Sequence, residues 1–179
     1  MLRPLDLAHE LLEAVIEVGD TVVDATMGQG YDTVFLAKLG AKVVAFDVQA
    51  QALEMTQALL EKGNVSAELI LSGHEHVTNY VKVPIKAGIF NLGYLPKSDK
   101  QVITHAETTL QALESLLDLL VKGGRIAVMI YYGHEGGIDE RDAVVDFVSA
   151  LPQQTFQVMQ YGSLNQVNQP PFLVMIEKR

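Results

Sequence analysis

The sequence predicts an α/β fold: a single, mainly parallel seven-stranded sheet with a C-terminal antiparallel hairpin and helices on both faces. Three observations predict it. Short apolar strands alternate with amphipathic segments between residues 21 and 150, a glycine loop follows the first strand, and ten residues, too few for a crossover helix, join the last two strands.

Residues 5–16 carry apolar side chains at Leu5, Ala8, Leu11, Leu12 and Val15, the rhythm of a helix laid along the domain before the first strand at 21–25. Helix 33–39, strand 42–46, helix 50–61, strand 68–71, a short helix 75–80 and strand 87–91 follow. Strands that read as unbroken apolar runs are covered on both faces, which is the habit of parallel sheets. A long helix, 103–120, is expected to close at Lys122-Gly123-Gly124, since glycine tolerates the positive φ of a helix end. Strand 125–130, helix 139–150 and the strands 156–161 and 172–176 complete the count of seven strands and six helices.

A chain of 179 residues suits one domain, 1–179. Its net charge of −9, with 13 Lys and Arg, provides no long-range field for DNA or RNA, so an RNA substrate would need a local basic rim or a partner. The absence of cysteine excludes disulfides, Cys-ligated metal sites and a cysteine nucleophile. No run of 18 apolar residues occurs, and the start lacks a long apolar segment, so a soluble cytoplasmic protein without a membrane partner is expected.

Gly28 and Gly30, in Thr26-Met27-Gly28-Gln29-Gly30, sit where missing side chains let a ligand approach backbone N–H groups between strand and helix. Asp24 at the end of the first strand can accept from an ammonium. Asp47 ends the second strand two residues before Gln49, where a carboxylate can take both ribose hydroxyls. The pattern fits a cofactor containing a nucleoside, although an ordinary strand–helix turn uses the same glycines. NAD competes because Asp47 lies 17 residues beyond Gly30, but Thr33 stands at the third glycine position and Asp24 would repel a pyrophosphate. Cationic S-adenosyl-L-methionine (SAM) suits the charges better. His74 and Glu75 end the third strand on the expected adenine side; His74 and His76, two apart, diverge on a helix, and no metal is expected.

Asn91 closes the fourth strand ahead of Leu92-Gly93-Tyr94-Leu95-Pro96. Its side-chain oxygen can hold the hydrogens of an amine and turn the nitrogen lone pair toward a methyl donor, where geometry does most of the work. Tyr94 offers a ring for stacking on a base, or serves as a core or lid aromatic. Tyr131-Tyr132-Gly133-His134-Glu135-Gly136-Gly137 follows the fifth strand at the same edge, with Tyr131 and Tyr132 as substrate contacts and His134 as the general-base candidate. A surface histidine steadied by Glu135 is the plainer alternative. Asn165 and Asn168, in the amide-rich 162–171 connection, can read base or sugar edges without positive charge, unless the segment is a solvated hairpin loop.

The stretches 24–33, 46–49, 90–96, 131–137 and 165–172 together resemble a bacterial family of Rossmann-like class I methyltransferases long labelled rRNA methylases. Its characterised members act on tRNA, at 5-aminomethyl-2-thiouridine in the wobble position. The resemblance spans almost the whole chain. It implies that Asp24, the 26–30 loop and Asp47 hold SAM, that the wobble base lies near Asn91, Tyr94 and His134, and that the partner is a tRNA anticodon stem-loop. The product would be the 5-methylaminomethyl nucleoside, made without a metal. Two positions depart from the family pattern: no acidic residue precedes the His74-Glu75 pair, and Tyr132 stands where a proline is usual.

A primary amine is protonated near neutrality and has no lone pair for attack, so the site must deprotonate it, through His134 or through desolvation. Arg3, Lys82, Lys86, Lys97 and Lys100 are the candidates for a basic rim, and a homodimer could pool two rims. The competing readings are methylation of rRNA or of a small amine, a noncatalytic SAM- or RNA-binding module, and an NAD oxidoreductase.

Overall fold

The computed structural model describes residues 1–93 and 104–179; Tyr94, Lys97 and Lys100 lie outside the described residues. Seven strands, β1 (Thr21–Asp24), β2 (Lys42–Asp47), β3 (Glu68–Leu71), β4 (Ile85–Leu92), β5 (Leu120–Ile130), β6 (Phe156–Tyr161) and β7 (Phe172–Lys178), form one sheet in the order β3-β2-β1-β4-β5-β7-β6. Pairing is parallel from β3 through β5, whereas β7 runs antiparallel to both β5 and β6. The expected reversed hairpin is therefore present, with its last strand inserted between its partners. The chain winds outward from β1 to β3 and returns to lay β4 beside β1. A doubly wound sheet leaves a crevice at the carboxyl ends of its strands where the winding reverses, here between β1 and β4.

Period-two alternation sends neighbouring strand residues to opposite faces. Val22, Val43, Ala45, Ile89 and Met129 pack under α1 (Pro4–Glu13), α2 (Tyr31–Lys38) and α3 (Ala50–Gly63). Val23, Val44, Phe46, Phe90 and Val128 pack under α4 (Val77–Tyr80), α5 (Ala106–Leu119) and α6 (Gly137–Ser149). Both faces of the central strands are thus buried, which accounts for their unbroken apolar sequence.

Several boundaries differ from the sequence expectation, most by one to three residues, and three of the differences bear on the architecture. The 75–80 segment is a 3-10 turn, His74–His76, followed by the single turn of α4. Helix α1 stops at Glu13 rather than residue 16. Most informative is the glycine pair: α5 ends at Leu119, and Leu120 is already extended and pairs with Ile85. The next matched pair is Ala87 with Arg125, so β5 takes five steps where β4 takes two. Gly123, with φ +75°, belongs to this bulge and not to a helix end. A Cβ on Gly124 would lie 2.7 Å from the Lys86 carbonyl oxygen, so the close approach admits no side chain.

Candidate functional site

A cavity of about 720 Å³ opens at the carboxyl ends of the strands, lined by residues that follow β1, β2, β3, β4 and β5 together with Leu5, Tyr31 and Asp32. Its size is that of a small-molecule or cofactor site. Of the residues expected from sequence, Thr26, Met27, Gly28, Gln29, Asp47, Gln49, His74, Glu75, Asn91 and Tyr131 all line it.

Asp47 braces the glycine loop. Its Oδ2 accepts Gly28 N–H at 3.0 Å and its Oδ1 accepts Gln49 N–H at 2.9 Å. Each carboxylate oxygen has a second lone pair, so the acid keeps acceptor capacity toward the cavity. Gly28 takes φ +54° at the loop's tightest point. Thr26 ties the loop to the neighbouring strand, its Oγ1 accepting Asn91 N–H at 2.6 Å.

Gly30 has a different task. Its φ is +87°, and a Cβ there would stand 2.6 Å from Thr56 Oγ1 and 2.8 Å from Thr56 Cα. It is absent from the cavity lining and serves the close packing of α2 on α3.

Asp24 is fully buried beneath the loop rather than in the wall. Thr33 Oγ1 donates to its Oδ2 at 2.6 Å and Thr26 N–H to its Oδ1 at 3.1 Å. Burial, and after it the nearby charge of Asp32, push its carboxyl up to about 7. It therefore shapes the loop from below and contributes charge to the site without lining it.

His74 is buried and shows which tautomer it carries. Nδ1 lies 2.9 Å from the Ala25 carbonyl oxygen, which can only accept, so Nδ1 bears the proton. Burial holds the ring's pKa below the ordinary histidine value and keeps the imidazole neutral. Nε2 is then an acceptor, and it is buried without a protein partner.

Sequence reasoning missed Asp32, His9 and Glu140. Asp32, in the first turn of α2, is 7% exposed and lines the cavity; its Oδ1 lies 2.6 Å from His9 Nε2 and its Oδ2 accepts Asn91 Nδ2–H. The partners are 23 and 59 residues away, so no local pattern reveals them. Glu140, 3% exposed on α6, accepts the hydroxyls of Thr104 and Thr109, each at 2.7 Å, while Thr104 Oγ1 accepts Gly93 N–H at 3.0 Å. An acid followed by hydrophobic i+4 spacing at 140, 144 and 148 was the available hint that Glu140 faces inward.

Among the described residues, the other expected ones are not in the wall. His134 stands beside Gly93, its Cε1 3.9 Å from where a Cβ of that glycine would be. Tyr132 lies in a second, smaller cavity of about 310 Å³, with its ring edge on Phe172 at 5.9 Å and the Arg141 guanidinium 4.9 Å from its centroid. Asn165 and Asn168 are exposed on the hairpin connection. Two lysines expected at the rim are displaced: Lys86 is the second residue of β4, five residues before Asn91, and Lys82 precedes that strand. At about 3.3 Å per residue, Lys86 is about 16 Å down the strand from the cavity. Arg3 is exposed and paired with Asp6 at 2.7 Å.

The sequence of residues 43–177 matches the family described as "Putative rRNA methylase". The chain is 35% identical, over 98% of its length and 70% of the relative's, to the chloroplastic tRNA (mnm(5)s(2)U34)-methyltransferase of Arabidopsis thaliana. Among solved structures it resembles SMU.1697c of Streptococcus mutans, described as "a putative methyltransferase" and solved in complex with SAH, at 52% identity and a TM-score of 0.95, covering 100% of this chain and 99% of that one. An rRNA methylase from Streptococcus thermophilus is 47% identical with a TM-score of 0.86, covering 99% and 98%.

Proposed function

The chain belongs to the rRNA methylase family of SAM-dependent, Rossmann-like methyltransferases, and from that premise we propose that it transfers a methyl group to the amine of 5-aminomethyl-2-thiouridine at the wobble position of tRNA. The observation that carries this reading is that Asn91 shares one cavity wall with Asp47 and the Gly28 loop, so an amine acceptor and a nucleoside cofactor would meet there.

The residues present fit SAM. His74 Nε2 is a buried acceptor without a protein partner, in the wall where an adenine amino group would need one. Asp47 keeps free lone pairs for ribose hydroxyls, and Phe46, Val48 and Leu92 supply apolar surface. Charge separates SAM from a dinucleotide. Asp24, Asp32 and Asp47 cluster at the loop, and the first of them resists ionisation through its burial and, after that, through the nearby charges of the other two. A cation relieves that repulsion, and a pyrophosphate adds to it.

When bound, SAM supplies a methyl group on a sulfonium that is already activated for in-line displacement. The protein's part is position and protonation state. Asn91 Oδ1 would hold the acceptor's hydrogens, and Tyr131 flanks the opening, with Tyr94, Tyr132, His134, Asn165 and Asn168 proposed around the base. The net charge of −9 favours a substrate with a small footprint, an anticodon stem-loop, over an extended RNA surface. A homodimer would bring two Arg3 rims to one tRNA, which light scattering tests. The family description favours rRNA as the second reading.

The test is mass analysis of tRNA nucleosides from cells with and without the gene, paired with methylation in vitro using labelled SAM. Accumulation of the aminomethyl nucleoside without the gene, and its methylation by the purified protein, support the proposal. Methylation of ribosomal particles alone would replace it with the second reading. A folded protein that gives no calorimetric signal with SAM or SAH would end both.

A further inference from the structure

Asp32 joins three elements inside the cavity. His9 on α1 meets its Oδ1 at 2.6 Å, and the Asn91 side-chain amide at the end of β4 donates to its Oδ2. A carboxylate only accepts, so Asn91 must turn its NH2 toward Asp32, leaving its own Oδ1 for the cavity. His9 is itself held, its ring stacked on Phe35 at 4.0 Å with 7° between the planes. The arrangement thus fixes an anionic group at 7% exposure beside the amide oxygen that would receive an amine.

We propose that Asp32 is the catalytic base that removes the proton from the methyl-acceptor ammonium, and that His9 is the positioning residue that holds its carboxylate for that task. This rests on the amine-transfer reading above. One N–H bond of the ammonium breaks and its proton passes to Asp32. The freed lone pair forms the new N–C bond as the donor's S–C bond breaks, giving a secondary ammonium and a neutral thioether. The proton on Asp32 returns to water as the products leave.

Among the described residues, the titratable groups that line the same cavity as this carboxylate include Tyr31, His74, Glu75 and His105. Asp24 lies beneath it from β1, and Asp47 lines the same cavity from β2. Tyr131 follows β5, and the Asp32 charge adds to the burial that makes its hydroxyl less acidic. On α1 the groups are His9 and, farther out, Asp6 paired with Arg3. Among the described residues lining the cavity, the carboxylate with a direct bond to the Asn91 amide is Asp32. His134 stands outside the wall.

The experiment compares wild type, Asp32→Asn, His9→Gln and His134→Ala on an anticodon stem-loop carrying aminomethyluridine, with kcat followed from pH 6 to 10 and SAH affinity measured on each protein. A general base is worth about 100-fold or more. Asp32→Asn should therefore lose at least that factor in kcat near neutrality, keep SAH affinity within about threefold, and regain rate by about tenfold per pH unit as solvent deprotonates the amine. His9→Gln should lower kcat by a smaller factor and displace the profile. An Asp32→Asn kcat within about threefold of wild type with an unchanged profile overturns the proposal. So does a loss confined to SAH affinity, or a profile moved by His134→Ala and not by Asp32→Asn. If Asp32→Asn shows no cooperative melting, Asp32→Glu and His9→Gln decide by the same profile. A wild type that binds SAH yet never methylates the aminomethyl RNA fails the underlying reading instead, a result distinct from those above.

Discussion

The carboxylate of Asp47 accepts the backbone N–H of Gly28 at 3.0 Å, so the acid that ends the second strand holds the loop that follows the first. Its other oxygen takes Gln49 N–H. Asp47→Ala removes the acceptor from two backbone donors. The expected cost is about 2–3 kcal/mol of stability, together with at least a tenfold loss of SAH affinity, read by chemical denaturation and calorimetry. Unchanged affinity would separate this acid from cofactor binding.

Gly30 and Gly28 should separate under substitution. Gly30→Ala forces a side chain into the left-handed region and against the Thr56 backbone. A loss of about 3 kcal/mol is expected, a fall in melting temperature of roughly 6–12 °C for a chain of this size. Gly28→Ala, in the cavity wall, should weaken SAH binding more than it lowers the melting temperature.

Asp24 makes stability depend on pH in an unusual direction for a carboxylate. Its ordinary value is 3.8 and the fold raises it to about 7, so between those values the unfolded chain releases a proton that the folded one retains. Its contribution is present below the unfolded value and is lost as pH rises toward 7. Asp24→Asn should flatten the melting temperature between about pH 4 and 7 relative to wild type. Cation binding should also ionise Asp24, so SAM is expected to release more protons than SAH near pH 7, measured by calorimetry in buffers of different ionisation enthalpy.

His74 works in the opposite sense. Burial holds its pKa below the ordinary 6.5, so as pH falls past that value the unfolded chain takes up a proton first and stability declines. His74→Phe keeps the edge contact with Phe90 but removes the Nε2 acceptor and strands the Ala25 carbonyl. It should weaken SAH binding about tenfold, the scale of one lost buried hydrogen bond. Equal affinity would place the adenine elsewhere.

Glu140→Ala should leave the Thr104 and Thr109 hydroxyls without their acceptor and loosen the hold on Gly93. About 2–4 kcal/mol of stability and faster amide exchange at Gly93 and Thr104 are expected. Unaltered exchange there would show that the Glu140 network does not anchor that edge.

Much of the sheet was legible because its information is local. Val22-Val23 and Val43-Val44-Ala45-Phe46 announce strands buried on both faces, and the ten residues before Phe172 forbid a crossover. Gly123-Gly124 misled because a glycine pair after a helix looks the same whether it ends the helix or bulges a strand, and only the register against Ile85 and Ala87 decides. The glycine loop, Asp47 and Asn91 were visible as motif residues at strand ends. Asp32 stood within the same motif, yet its role depends on His9 and Asn91, which tertiary packing brings to it. Tyr132 follows Tyr131 directly, but the two line different cavities, a divergence that adjacency in sequence cannot convey.

The reversed seventh strand carries Glu177 back to pair with Arg125, so Arg179 emerges on the underside of the sheet while Phe172, opposite Ile130, is on the upper rim. A tether attached at Arg179 would thus hold the molecule to a bead or sensor chip with its mouth turned outward, and a ligand in solution could reach it without passing the support.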